Sequence, residues 1–374
     1  MNDFVTLGVS KQLRIIIGEQ GIVVPTPIQI STIPHVLEGK DIIGQAQTGS
    51  GKTLAFLLPL LQKIQVSDSN IQALILSPTR ELAIQITEEA NKIVRKMNDI
   101  HVLAVYGGQD VVQQIHKLNG HIHIVIATPG RLLDHIRRKT IDLSQINTLV
   151  LDEADQMLHM GFLQEVLAII EQTPSSRQTL MFSATLLEEL KVIAKQYMKT
   201  PFDIRAKREK WTVADIEQYI VETTDRAKQE TLRNIIDEQH PFLAIIFCRT
   251  KRRVHRLYEA LHGFRYLCDV LHGDLSQAKR EEVMTRFRKA EIQYLIATDV
   301  AARGLDVEGV THVINYDIPH DIESYIHRIG RTGRAGEKGI AITLVAQKDK
   351  IHLAHIENEL KVSIEKLKVA HKRK

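Results

Sequence analysis

The sequence predicts an α/β protein of two tandem domains, each a mostly parallel sheet flanked by helices. Short apolar, β-branched runs alternate with longer amphipathic stretches along the chain, the pattern left when parallel strands are joined by helices. Almost every run stops at a polar or glycine-rich cluster, and in such sheets ligands bind at the carboxyl ends of strands. At 374 residues and 44% hydrophobic composition, the chain also exceeds what one core usually supports.

In order, Asp41, Ile42 and Ile43 read as the end of a strand leading into AQTGSGKT (Ala46 to Thr53), with a helix opening at Lys52 and Thr53. The next runs are Ala73 to Leu76, Val102 to Val105, Ile122 to Ala127, Leu149 to Leu151 and Leu180 to Phe182, ending in SPTR, YGG, ATPGR, LDEAD and FSAT. In the second half they are Leu243 to Phe247, Tyr266 to Leu271, Tyr294 to Ala297, His312 to Asn315 and Ile340 to Val345. Their closing clusters are FCRT, LHGD, ATDVAARG and NYD. Between the halves, Arg205 to Gln218 is charged and lacks periodicity until Ile216. This places the first domain at residues 1–203, a linker at 204–213 and the second domain at 214–374. A helix is expected over Ala354 to Val369, followed by a short basic, solvated tail, His371 to Lys374.

Composition excludes several classes. Formal net charge is +4 and unevenly placed: residues 1–205 carry 19 Lys+Arg against 20 Asp+Glu, and residues 206–374 carry 30 against 25. Such an excess permits a nucleic-acid groove, though charge alone favours a solvated surface. Cys248 and Cys268 have no CxxC spacing and read as reduced thiols. His121 and His123 are the nearest thing to a metal-ligand pair, and alternation in a strand explains them better. No segment approaches the ~18 apolar residues that span a bilayer, and MNDFVTLGVS lacks a signal peptide's charge and apolar core. A cytoplasmic protein with no membrane association is expected.

Two separated stretches together describe a nucleoside triphosphate site. Within Ala46, Gln47, Thr48, Gly49, Ser50, Gly51, Lys52 and Thr53, the glycines can take the positive φ that aims backbone N–H groups at phosphate oxygens. Lys52 then offers charge to phosphate and Thr53 a hydroxyl to magnesium. The strict loop pattern has glycine where this chain has Ala46. Asp152 and Glu153 supply carboxylates at the end of an apolar run.

With these clusters in hand, the chain resembles the DEAD-box RNA helicases, superfamily 2 enzymes of two RecA-like domains, from Phe4 to about Val345. GIVVPTPIQ (Gly21 to Gln29), with Phe4 upstream, is similar to the family's Q motif. The resemblance implies that Phe4 stacks on adenine and that Gln29 reads its edge, for which a side-chain amide offers both donor and acceptor. It further implies that Lys52 contacts the β- and γ-phosphates, that Thr53 and, through water, Asp152 hold Mg²⁺, and that Glu153 positions and deprotonates the attacking water. Ser183 and Thr185 of SAT would bond to the DEAD motif, above all to Asp155, and so couple hydrolysis to closure. In HRIGRTGRAG (His327 to Gly336), Arg331 and Arg334 match the arginine fingers that meet γ-phosphate, and Asp306 matches the residue on the ribose hydroxyls.

The remaining motifs imply RNA-backbone contacts. They comprise Pro78, Thr79 and Arg80 of PTRELA, Gly107 and Gly108, and Thr128, Pro129, Gly130 and Arg131 of TPGR in the first domain. Thr250, Arg280 and Thr298 follow in the second. Hydroxyls, glycines, helix N-termini and a few arginines satisfy phosphates without reading bases. Aromatic residues make up only 5% of the chain, so stacking platforms are scarce.

The expected protein is thus an ATP-dependent RNA helicase that uses ATP and Mg²⁺, acts as a monomer, and grips single-stranded or short duplex RNA without sequence preference. The resemblance implies that its domains close over both ligands and separate strands locally. An ATP-gated RNA clamp and a superfamily 2 DNA translocase are the rival readings. A minimal core of this kind suits a bacterial protein of ribosome assembly or RNA decay.

Overall fold

A computed structural model of the chain describes residues 3–46, 50–97, 99–108, 110–118, 120–205, 216–302, 307, 309–333 and 338–368. The chain divides into two compact units, Met1–Arg208 and Glu209–Lys374.

The described residues of the first unit form seven strands: β1 (Ile42–Gln45), β2 (Ala73–Leu76), β3 (Val102–Val105), β4 (Ile124–Ala127), β5 (Thr148–Leu151), β6 (Gln178–Ser183) and β7 (Phe202–Arg205). They lie in the order β3-β4-β2-β5-β6-β1-β7, and each pairing is parallel. Successive residues face opposite ways, and both faces are covered. Ile42, Ile75 and Val150 join one apolar cluster with Phe56 and Leu57 of the helix Lys52–Lys63, whereas Ile43, Leu76 and Leu151 join another with Val166 and Ile169. Burial on both faces is why these strands read as continuous apolar runs.

The second unit repeats the plan with β8 (Ile216–Glu222), β9 (Ala244–Phe247), β10 (Cys268–Leu271), β11 (Tyr294–Ala297), β12 (His312–Asn315), β13 (Gly339–Val345) and β14 (Glu365–Lys366). Their order is β10-β11-β9-β12-β13-β8-β14, again with parallel pairings. Cys248 and Cys268 are buried free thiols, and burial pushes Cys268 up to about 11.

Several details differ from expectation. Asp41 lies just before β1, where its carboxylate accepts the N–H groups of Thr179 (2.8 Å) and Lys199 (2.6 Å). The edge strand β7, with Ile204 its one buried residue, occupies the first two positions expected as linker; residues 206–213 lie outside the described set. His123 sits just ahead of β4 and accepts the N–H of His101 at Nδ1 (3.1 Å). The helix expected over Ala354 to Val369 instead runs Lys350–Leu360. Lys361 ends it in the left-handed region (φ 56°), and β14 follows beside β8, with Leu367 N–H donating to the Ile220 carbonyl. Ile356, Leu360, Ile364 and Leu367 have helical spacing, yet a left-handed residue closes a helix whatever follows. His371 to Lys374 lie outside the described residues.

Candidate nucleotide site and nucleic-acid interface

Three neighbouring strands of the first unit, β5, β6 and β1, deliver the candidate nucleotide groups to one edge of its sheet. Leu151 pairs with Met181 and Gln45 with Ser183, so DEAD, SAT and the start of the glycine-rich loop leave the sheet side by side. The Ala46 N–H donates to the Ser183 carbonyl at 3.0 Å. Gly51 caps the helix Lys52–Lys63 with φ 88°, and a Cβ there would lie 2.6 Å from Gln29 Nε2 and 2.8 Å from Thr26 Oγ1. Only glycine suits both that conformation and that space. Lys52 is buried at the first position of the helix, and Ser50 and Thr53 are half-buried. Gln47, Thr48 and Gly49 lie outside the described residues.

Gln29 is only 2% exposed and ties the Q-motif stretch to this loop: its Oε1 accepts the Thr26 N–H and its Nε2 donates to the Gly51 carbonyl, both at 3.0 Å. An amide has a second lone pair and a second N–H, so these bonds do not exhaust it. Phe4 is 4% exposed and packs into the unit's apolar cluster.

The DEAD residues are buried together. Asp152 continues the ladder beyond β5 by donating its N–H to the Leu76 carbonyl (2.9 Å), and its carboxylate accepts the Glu153 N–H (3.0 Å). Glu153 adopts φ 50°, ψ 49°, a left-handed conformation uncommon for a side chain of its kind, and opens the short helix Ala154–His159. Asp155 accepts from both the N–H (2.9 Å) and the hydroxyl (3.0 Å) of Thr185. The Ser183 hydroxyl turns instead to the carbonyl of Thr185. Thr185 therefore bonds DEAD directly, whereas Ser183 shapes the loop that carries Thr185.

Burial, opposed by Lys52 and reinforced by Glu153 and Asp155, raises the Asp152 carboxyl to about 6. The folded protein then keeps this proton up to about pH 6, whereas the unfolded chain releases it near 3.8, so the folded state loses stability as pH rises through that window. Asp152→Asn removes the buried charge. Without divalent cation or nucleotide, the variant is expected to be more stable than wild type by about 1–3 kcal/mol at pH 8, and nearly level with it at pH 4. Urea melts at the two pH values test this. An advantage of the same size at both would contradict it.

The other half of the same edge carries the candidate RNA contacts. β2 ends at Leu76, followed by buried Ser77, Pro78 and Thr79, and Thr79 caps the helix Arg80–Val94 by accepting the Leu82 N–H (3.3 Å). β4 ends at Ala127, and Thr128 is the cap of the helix Pro129–Arg137; Pro129 is buried, Gly130 exposed and Arg131 half-buried. β3 leads to Gly107 and Gly108, the latter at φ 91°, and a Cβ on Gly107 would stand 3.2 Å from the Arg80 guanidinium. Backbone N–H groups and small residues thus converge at one rim of the first unit.

In the second unit, exposed Thr250 caps the basic helix Lys251–Gly263 and accepts the Arg253 N–H (3.3 Å). Thr298 and Arg280 are buried, Arg280 donating to the Ala301 carbonyl (3.4 Å). Arg331 is 4% exposed, with Nε donating to the His327 carbonyl (3.1 Å). Arg334 and Asp306 lie outside the described residues. Sequence reasoning passed over Arg328, the organiser of this region. It forks onto the Asp299 carboxylate, donates to the Asp317 carbonyl (2.6 Å) and Asn315 Oδ1 (3.1 Å), and lies over the Phe247 ring. Asp317, also passed over, accepts from the Arg249 N–H (3.0 Å) and the Arg253 side chain (2.6 Å), holding the turn that presents Thr250. Their placement within HRIGRTGR and within NYD was the available signal.

Comparison with known proteins agrees with this architecture. The DEAD/DEAH box helicase family matches residues 26–193, and the helicase conserved C-terminal domain matches residues 227–336. The chain is 49% identical over 368 residues to the DEAD-box ATP-dependent RNA helicase CshA of Geobacillus kaustophilus (strain HTA426), covering 98% of this chain and 79% of that one. It is also 49% identical over 365 residues to CshA of Bacillus subtilis (strain 168), covering 98% and 74%. Among solved structures, S. cerevisiae Dbp5 bound to RNA and ADP BeF3 matches with a TM-score of 0.90 and 31% identity, covering 98% of this chain and 96% of that one. A DEAD box protein from the hyperthermophile Methanococcus jannaschii matches with a TM-score of 0.56 and 41% identity, covering 98% and 99%. The chain belongs to the DEAD-box ATP-dependent RNA helicases, and each of its units is a RecA-like domain.

Proposed function

We propose that this chain is an RNA-stimulated ATPase that separates short RNA duplexes or remodels RNA–protein complexes locally, without sequence preference. The carrying observation is the division of one sheet edge in the first unit: the glycine-rich loop with Lys52, the carboxylates and the SAT hydroxyls stand at the ends of β1, β5 and β6, and backbone-directed groups stand at the ends of β2, β3 and β4. Nucleotide and nucleic acid would therefore be held by adjoining loops of one rigid sheet.

In this reading Lys52 binds the β- and γ-phosphates, Gln29 and Phe4 meet adenine, and Asp306 meets the ribose. A hard cation suits the site: the net effect of Asp152's surroundings disfavours its negative charge, and Glu153 is buried next to it. Thr53 and Asp152 would hold Mg²⁺ through oxygen atoms, and when bound it offsets phosphate charge. Glu153 orients the attacking water and accepts its proton, while Arg331 and Arg334 stabilise charge on the transferring phosphoryl group. Asp155 and Thr185 link the carboxylate loop to the loop after β6. The loops of Pro78 to Arg80, Gly107 and Gly108, and Thr128 to Arg131, with Thr250, Arg280 and Thr298, grip sugar and phosphate.

No helix among the described residues is long and apolar enough to cross a membrane. We place the protein in the cytoplasm, acting as a monomer on ribosomal precursors or on RNA marked for decay.

The testing experiment compares ATP hydrolysis with single-stranded RNA and with DNA of matched length and sequence, alongside strand separation of a short RNA duplex. RNA is expected to stimulate strongly and with little sequence preference, and rising salt to weaken its binding; DNA should stimulate poorly, because the 2′-hydroxyl is what distinguishes the polymers. Equal stimulation by DNA would favour a DNA translocase. Stimulation by RNA without strand separation would favour a clamp.

A further inference from the structure

Gln114 lies on the helix Val111–Leu118 with 1% of its surface exposed, in the midst of the loops assigned to RNA. Its Nε2 donates to the Tyr106 carbonyl at 3.0 Å, the peptide oxygen immediately before Gly107 and Gly108. Its Oε1 accepts from Arg131 Nη1 at 3.0 Å and lies 3.0 Å from Nε2 of His135. His135 is itself fully buried, with Nδ1 2.8 Å from the Thr140 hydroxyl.

The proton assignments are consistent. Burial, and then the nearby Arg131 guanidinium, hold His135 below the ordinary imidazole value, so it is neutral at pH 7. Facing an amide oxygen, its Nε2 carries the hydrogen, and the Thr140 hydroxyl is shared between Nδ1 (2.8 Å) and the His135 carbonyl (3.2 Å). One amide therefore joins the turn after β3, the arginine of TPGR after β4, and a locked histidine on the same helix as that arginine. The Arg80 guanidinium also packs against Gly107. A guanidinium has five N–H donors, so a bond to Gln114 is compatible with a phosphate contact.

We propose that Gln114 is a positioning residue for RNA binding, fixing the Gly107–Gly108 turn and the Arg131 guanidinium in one geometry so that both meet the same stretch of RNA backbone. Ordering these groups beforehand lowers the cost of ordering them when RNA arrives. The inference rests on the reading of these loops as RNA contacts.

The test uses the full chain and measures ATP hydrolysis against single-stranded RNA concentration for wild type, Gln114→Met, Arg131→Ala and the double variant, with a melting curve for each. Gln114→Met keeps the side chain's length and removes its polar partners. It is expected to raise the RNA concentration for half-maximal stimulation ~10-fold, with the rate at saturating RNA kept within about twofold. Because Gln114 acts largely through Arg131, the double variant should be impaired by less than the product of the two single effects. A half-maximal concentration unchanged by Gln114→Met, fully multiplicative effects, or a saturated rate that falls in step with the melting temperature would each overturn the proposal. If Arg131→Ala leaves the half-maximal concentration unchanged, the RNA assignment of TPGR fails, and the proposal fails with it. Should Gln114→Met not fold, Gln114→Glu keeps the acceptor for Arg131 and His135, replaces the donor to Tyr106 with a carboxylate oxygen, and adds a negative charge beside Arg131. A shift of ~3-fold is then expected, and a wild-type value contradicts the role.

Discussion

Glu153→Gln is expected to bind ATP with nearly wild-type affinity and to lose ~10²–10⁴-fold in RNA-stimulated turnover. The amide keeps the length and hydrogen-bonding reach of the carboxylate but cannot accept the proton of an attacking water. The surroundings support the role. Glu153 stands in a left-handed conformation between buried Asp152 and a short helix, a costly backbone geometry of the kind that concentrates at functional sites. Turnover in single-cycle experiments separates chemistry from nucleotide binding. More than half of wild-type turnover at saturating RNA would remove the general-base assignment. Lys52→Ala should differ in kind, weakening nucleotide binding itself, because the role proposed for its ammonium is to hold phosphate and not to transfer a proton.

The second large effect is expected from Arg331→Ala. A guanidinium supplied to a transferring phosphoryl group contributes ~10³–10⁵ in rate, and hydrolysis in this account draws on the carboxylates of the first unit and this arginine of the second. Arg331 is buried, with its Nε on the His327 carbonyl. A guanidinium has five N–H donors, so that bond is compatible with a phosphate contact. Turnover should fall by at least ~10²-fold while ATP binding by residues 1–205 expressed alone stays unaffected by RNA. Near-normal turnover in the variant would move the role to Arg334 or dismiss it.

The nucleotide loop and the carboxylate cluster were legible in the sequence because phosphate and metal chemistry demand particular residue types at the ends of apolar runs, and both remain contiguous along the chain. The central strands were legible for a similar reason: burial on both faces writes an unbroken apolar run, as in Ala73 to Leu76. β7, β8 and β14 were not, since Phe202–Arg205 buries only Ile204, Ile216–Glu222 mixes charged and apolar positions, and Glu365–Lys366 is exposed. Their pairing is decided by neighbours far along the chain. The same limit hid Gln114, Arg328 and Asp317. Each is defined by partners that the fold brings together, such as Arg328 with Asp299, while in sequence each reads as an ordinary helix or turn residue. Ser183 was half legible: its place at the end of an apolar run could be read, but not that its hydroxyl faces the Thr185 carbonyl.

ATP and RNA are expected to stabilise one and the same state of the protein. If so, each must tighten binding of the other by an equal factor. The most direct measurement is RNA affinity with and without a non-hydrolysable ATP analogue, in wild type and in Arg331→Ala. The account predicts that the analogue tightens RNA binding at least ~5-fold in wild type, the lower end of ordinary coupling, and by less in the variant. RNA affinity unchanged by the analogue in wild type would contradict it.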